Sequence, residues 1–94
     1  MPIGRNEFEK MRVQHQQNLR EFLRVELELG LTFIEMAEVE RDRDNIEHFQ
    51  HAKGDVEKAV ATIRRFVSEI GDPQEQDNIK QRCEELSAQL AKLP

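Results

Sequence analysis

The sequence predicts an all-α fold: a three-helix antiparallel up-down-up bundle whose long first helix pairs with a second copy, giving a dimeric helical bundle. Strand-type alternation of apolar and polar residues occurs nowhere in the 94 residues. Three helix starts are marked by capping-box spacing, in which a polar cap is followed three positions later by Glu. These pairs are Asn6 with Glu9, Asp44 with Glu47, and Asp72 with Glu75. They predict a single domain, 1–94, with helices at about 7–41, 45–70 and 73–92.

Composition and charge exclude several classes of protein. The net charge of −5 and a pI near 5.2 argue against nucleic acid as the main partner, because phosphate binding needs an excess of Lys and Arg. No apolar run approaches the ~20 residues of a membrane span, and residues 1–5 lack the apolar core of a signal peptide. A single cysteine, Cys83, permits no internal disulfide. We therefore expect a cytoplasmic protein with no membrane partner.

The second and third helices each have one apolar face. In the second, most apolar residues from Ile46 to Ile70 fall within one arc, and Gly71 follows where a left-handed helix end is expected. The third repeats apolar residues at heptad spacing, with Cys83 among them as a small buried hydrophobe. The predicted core consists of Leu19, Leu23, Leu27, Ile34, Phe49, Val56, Ile63, Phe66, Ile79, Leu86 and Leu90.

The first helix has two apolar faces. One, the heptad stripe, consists of Phe8, Met11, His15, Asn18, Phe22, Val25, Leu29, Thr32, Met36 and Val39. The other, the core stripe, consists of Leu19, Leu23, Leu27, Gly30, Ile34 and Ala37. A helix that is apolar over more than half of its circumference must contact neighbours on more than one side.

A length comparison places the predicted contact site at the start of the heptad stripe. The second helix is long enough to cover the first only down to about residue 15, which leaves Phe8, Met11 and part of the stripe through Phe22 without a partner in the chain. We expect self-association there, with residues 1–16 fraying or hooking back over the core as the alternative. The predicted interaction residues are Phe8, Met11, His15, Asn18, Phe22, Val25 and Leu29.

Three polar residues stand at apolar positions of the first helix. His15 and Asn18 lie within the heptad stripe, where polar groups lower stability but specify register. Protonation of His15 would place a charge inside the contact and make assembly sensitive to pH, whereas solvated edge positions are the alternative for both residues. Glu26 lies in the middle of the apolar arc and either pairs with a neighbouring cation or reaches solvent at a helix crossing.

The central hairpin resembles a single, extended tetratricopeptide-like repeat. The similarity lies in Leu29, Gly30, Phe33 and Ala37 of the first helix and in Ala52, Val56 and Ala59 of the second. The chain departs from that family by about ten extra residues between Ala37 and Ala52. It also has Glu26 at the position of a large aromatic, no closing proline and no second copy. The resemblance implies helix-hairpin packing and protein binding.

The sequence favours a non-catalytic protein–protein interaction or scaffold module whose partner is itself or another helical protein. It predicts no catalytic residues and no cofactor, because it has no Ser–His–acid grouping and no phosphate-binding glycine loop. One alternative is a metal-binding helical bundle using His48 and His51, near Asp44 and Glu47. The other is an acidic regulator subunit whose weakly basic first helix contacts nucleic acid.

Overall fold

The computed structural model describes residues 4–94, which form three α-helices and a short 3-10 turn. Helix α1 spans Arg5–Asp42, α2 spans Ile46–Phe66, and α3 spans Pro73–Ala91, with the 3-10 turn at Val67–Glu69. No strand occurs among the described residues, so the predicted all-α class is confirmed. The molecule measures 61 × 26 × 15 Å, and the 38 residues of α1 account for most of its length.

Helix α1 begins without a side-chain cap. Gly4 occupies the capping position, and its carbonyl oxygen accepts from the backbone N–H groups of Glu7 and Phe8 at 3.0 and 3.2 Å. The prediction that Asn6 caps this helix is therefore wrong, because Asn6 already lies inside the first turn. A helix can start on backbone geometry alone when its first N–H groups are open to water, as they are here.

The α1–α2 connection is a Schellman motif. Asp44 has φ 57°, in the left-handed region, and its N–H donates to the carbonyl oxygen of Arg41 at 3.0 Å. The N–H of Asn45 donates to the carbonyl oxygen of Glu40 at 2.9 Å. Asn45 caps α2, its side chain accepting from the N–H of His48 at 3.3 Å. The prediction of Asp44 as the cap was thus one residue early, since Asp44 is the left-handed residue of the turn that follows α1.

The α2–α3 connection differs from the expected left-handed glycine turn. Helix α2 tightens into the 3-10 turn after Phe66, Ile70 is extended, and Gly71 does not have a positive φ. The prediction for Gly71 is therefore wrong: the 3-10 turn ends the helix before the chain reaches it. Asp72 caps α3 as predicted, accepting from the N–H of Gln74 at 3.0 Å.

The core is built from one face of each helix. Every predicted core residue is buried or half-buried. Ala37, Ala52, Val60, Val67, Ile70, Cys83 and Leu93 are buried with them. At Gly30 the absence of a side chain lets α3 approach α1, because a Cβ there would overlap the Leu86 side chain. Within residues 4–94, no helix combines the length and the apolar character that crossing a membrane requires.

Candidate protein interaction surface

The two stripes of α1 have opposite environments. Leu23, Leu27, Gly30, Ile34 and Ala37 of the core stripe are buried under α2 and α3. At 3.6 residues per turn, the middle of the heptad stripe lies about 130° around the same helix from the middle of the core stripe. Helix α1 is therefore a layer with packed side chains on one face and uncovered apolar side chains on the other.

The exposed apolar side chains are concentrated on α1. Its heptad stripe exposes Phe22, Val25, Leu29, Met36 and Val39 to between 42% and 51%, and Phe8 and Met11 to 53% and 58%. Among the described residues, Ile46 is the single large hydrophobe of comparable exposure that lies outside α1. Scattered apolar residues are normal on a protein surface, whereas a continuous row on one helix face is the mark of a contact surface.

The first turns of α1 project beyond the rest of the molecule. Residues 4–15 are all exposed, and we call residues 5–15 the arm. Gln16 marks its base, since its side chain accepts from the N–H of Gly71 at 2.8 Å and donates to the carbonyl oxygen of Glu69 at 2.9 Å. The arm continues the helix instead of hooking back over the core, and Phe8 and Met11 lie along it.

Phe22 differs from the rest of the stripe because it has a partner within the chain. Its ring meets that of Phe66 edge to face, with centroids 6.3 Å apart, and the Arg65 guanidinium lies 5.2 Å from the Phe66 ring centre. The expectation that the stripe through Phe22 lacks an intrachain partner is therefore wrong at Phe22. This contact extends the exposed apolar surface from α1 onto α2.

The polar residues of α1 are placed as follows. His15 and Asn18 are exposed, and the Asn18 side chain accepts from Gln14 Nε2 at 2.9 Å along the helix. Glu26 is half-buried, and no hydrogen bond or ion pair joins it to another residue in the described part of the chain. His15 and Asn18 thus remain accessible to a partner.

The predicted interaction residues do not include the whole of the exposed heptad stripe. Thr32, Met36 and Val39 belong to the heptad stripe, but the predicted interaction residues end at Leu29. The structure leaves Met36 and Val39 exposed, since it is the core stripe at this end of α1 that is buried. The heptad spacing itself was the signal that could have included them.

Of the two histidines of the metal alternative, His48 lies at the cap of α2. His48 Nδ1 is 2.9 Å from the Asn45 side-chain nitrogen and 3.8 Å from a Glu40 carboxylate oxygen. His51 is exposed on α2. Over residues 4–94, no three His, Cys, Asp or Glu side chains are grouped as metal ligands. The metal alternative therefore gains no support from this geometry.

The basic residues of the nucleic-acid alternative are partly paired with acids. Arg24 forms an ion pair with Glu75, the residue predicted to complete the α3 capping box, and Arg5 lies 3.8 Å from Glu9. Two concave regions, of about 550 and 480 Å³, are lined by residues 6–20 of α1 alone and are therefore open surface. The heptad stripe remains the strongest candidate for a functional site.

A scan against protein-family models finds no match for the chain, and searches of curated proteins and of solved structures return no significant match. The resemblance to a tetratricopeptide repeat accordingly has no support beyond the residues that suggested it.

Proposed function

We propose that this chain is a non-catalytic interaction or scaffold module that self-associates through the heptad stripe of α1. One observation carries the proposal: α1 has a second apolar face that α2 and α3 leave largely uncovered. Phe8, Met11, His15, Asn18, Phe22, Val25 and Leu29 contribute to this contact, and Met36 and Val39 extend it. Burying such half-exposed side chains is worth roughly 1 kcal/mol each.

An up-down-up bundle is the protomer that enters this assembly. It is supported by the order of side-chain contacts along the helices. Asn45 at the start of α2 bonds to Glu40, while Gly71 beyond its end bonds to Gln16. In α3, Glu75 near the start of the helix meets Arg24, and Leu86 farther along packs against Gly30.

A second copy of the chain is the simplest partner, because it already carries a matching apolar stripe. Each copy brings the same long stripe, so two copies cover both exposed surfaces in one symmetric contact. A helix of another protein with a similar apolar face is the alternative occupant. The single buried cysteine suits a reducing compartment, which is why we place the assembly in the cytoplasm.

The test is a pair of matched charge substitutions on α1. Leu29→Glu places a carboxylate in the centre of the heptad stripe, whereas Val13→Glu makes a similar change on another exposed face of the helix. Since each dimer carries the change twice, we expect Leu29→Glu to raise the dissociation constant about 100-fold or more. Val13→Glu is expected to change it less than about threefold, as for an exposed surface position.

Light scattering coupled to size exclusion measures both variants against the wild type, and circular dichroism checks that they are equally helical. Equal masses for the two variants would remove the heptad stripe as the contact. The wild-type chain could instead be monomeric and bind another helical protein through Leu29. That result would support the interaction function but would make the other protein, and not a second copy, the partner.

A further inference from the structure

We propose that the two copies pair antiparallel and centred, so that the arm of each lies on the C-terminal half of the other's α1. This inference rests on the proposed self-association. In this register Phe22 of one copy faces Val25 of the other, near the two-fold axis. The outer layers pair Asn18 with Leu29, His15 with Thr32, Met11 with Met36, and Phe8 with Val39.

The spacing of the heptad stripe permits this register. Its steps alternate between three and four residues and begin and end with three, so the stripe has the same spacing read in either direction. When one copy is reversed about the centre, all ten positions meet a position of the other copy. A shift by one heptad in either direction would leave two positions at each end without a partner.

The charge distribution along α1 decides between antiparallel and parallel pairing. Residues 5–23 have a formal charge of +1, whereas residues 24–42 have a formal charge of −4. Antiparallel pairing places the basic half of each copy against the acidic half of the other. Parallel pairing instead places the two acidic halves side by side, which costs free energy and suppresses that arrangement.

The residues that flank the stripe contribute little to this preference, because each direction pairs some like charges. In a parallel pair, Glu21 would stand beside Glu26 of the second copy and Glu35 beside Glu40, because flanking positions five residues apart meet across a parallel coiled coil. The antiparallel pair brings Glu21 towards Glu28 near the centre, which is also repulsive. At its ends the antiparallel pair brings Arg5 towards Glu40, which is attractive, and Glu7 towards Asp42, which is repulsive, whereas the parallel pair brings Glu7 beside Arg12.

The two ends of the stripe are complementary in shape. Thr32, Met36 and Val39 line a shallow depression on α1 that is edged by Glu35 and Glu40. The arm that would fill it presents Phe8 and Met11, with Arg5 and Arg12 along one edge and Glu7 along the other. Phe8 and Met11 thus meet the apolar depression, and Arg5 lies towards Glu40, twice in each dimer. The side chains of the arm, whose hydrogen bonds and ion pairs in the described structure are all with residues of α1, acquire a partner.

Cross-linking between variants that each carry one added cysteine tests the direction of pairing. Met11→Cys and Met36→Cys are prepared separately and treated with a short bismaleimide cross-linker, alone and as an equimolar mixture. In an antiparallel dimer of one variant, the two identical new thiols are about 37 Å apart along the axis. In a mixed dimer, the thiol at position 11 of one copy faces the thiol at position 36 of the other. We expect covalent dimer in the mixture and none in either variant alone. Cys83 is buried, so the wild type serves as the uncross-linked control.

Each other result overturns the inference in a distinguishable way. Covalent dimer from each variant alone would establish a parallel pair and leave self-association standing. No cross-linking in samples that scatter light as dimers would reject this register but not the contact. Monomeric mass for the wild type and both variants would reject the proposed self-association itself. A Val13→Cys and Met36→Cys mixture, expected to give no dimer, shows that cross-linking depends on the face.

Discussion

The backbone N–H of Gly71 donates a hydrogen bond to the Oε1 atom of Gln16 at 2.8 Å, across 55 positions of sequence. The Nε2 of the same side chain donates to the carbonyl oxygen of Glu69 at 2.9 Å. One amide therefore satisfies two backbone groups of the α2–α3 connection, where no helix supplies partners. This clamp fixes the point at which the body of the molecule ends and the arm begins.

Replacing Gln16 by Ala is expected to lower the free energy of unfolding by about 1 kcal/mol, because two backbone groups lose their partner. Gln17→Ala is the matched control, since Gln17 makes a single 3.4 Å contact with Glu21 on its own helix. Urea unfolding followed by circular dichroism at one protein concentration measures both. Equal effects of the two changes would show that the clamp contributes nothing to stability.

Glycines 30 and 54 are expected to respond to alanine in opposite directions. At Gly54 nothing lies within 4 Å of a new Cβ, so Gly54→Ala should stabilise α2 by about 0.5–1 kcal/mol. At Gly30 the new methyl would overlap the buried Leu86 side chain, and overpacking of about 1–3 kcal/mol outweighs the helix gain. Thermal unfolding of the two variants is the measurement. Stabilisation by Gly30→Ala would contradict close packing of α1 and α3.

Asp44→Gly is expected to stabilise the chain by about 1 kcal/mol. Asp44 has φ 57°, which costs free energy for a residue with a Cβ and none for glycine. Asp42→Gly, inside the last turn of α1, is the control and should destabilise, since its φ is helical. If Asp44→Gly lowered the unfolding temperature, the left-handed turn between α1 and α2 would not be the one described.

Cys83 is expected to make stability depend on pH in alkaline solution. Burial raises the pKa of its thiol above the ordinary value of 9.0, with Arg64 opposing the shift and Glu84 adding to it. The unfolded chain therefore loses this proton at a lower pH than the folded chain, so stability falls as pH rises above about 9. The measurement is the unfolding free energy of wild type and Cys83→Ala between pH 8 and 10. A constant difference across that range would refute the shift.

The all-α class and the core could be predicted from sequence because both follow from spacing along single helices. Leu23, Leu27 and Ile63 are buried as their periodicity requires. The cap positions were less predictable. Asn6 and Asp44 have the chemistry of caps, but adjacent backbone conformations decide which residue takes the position. Asp72 was correctly identified because Pro73 fixes the first helical residue.

The contacts between α1 and distant parts of the chain could not be predicted from the sequence. Nothing about Gln16 distinguishes it from the neighbouring glutamines until the α2–α3 connection is placed beside it. Likewise, the Phe22–Phe66 contact depends on how far α2 extends along α1. Met36 and Val39 are exposed because α2 and α3 leave this part of α1 uncovered. Heptad spacing alone does not determine which face of α1 the other helices cover.

The most direct test of the central claim, self-association through the uncovered face of α1, is sedimentation equilibrium of the wild-type chain over a tenfold concentration range. The chain has a mass of 11.1 kDa. We predict a single species of twice that mass at the highest concentrations, with dissociation, if any, on dilution. A mass of one chain at every concentration would contradict the account.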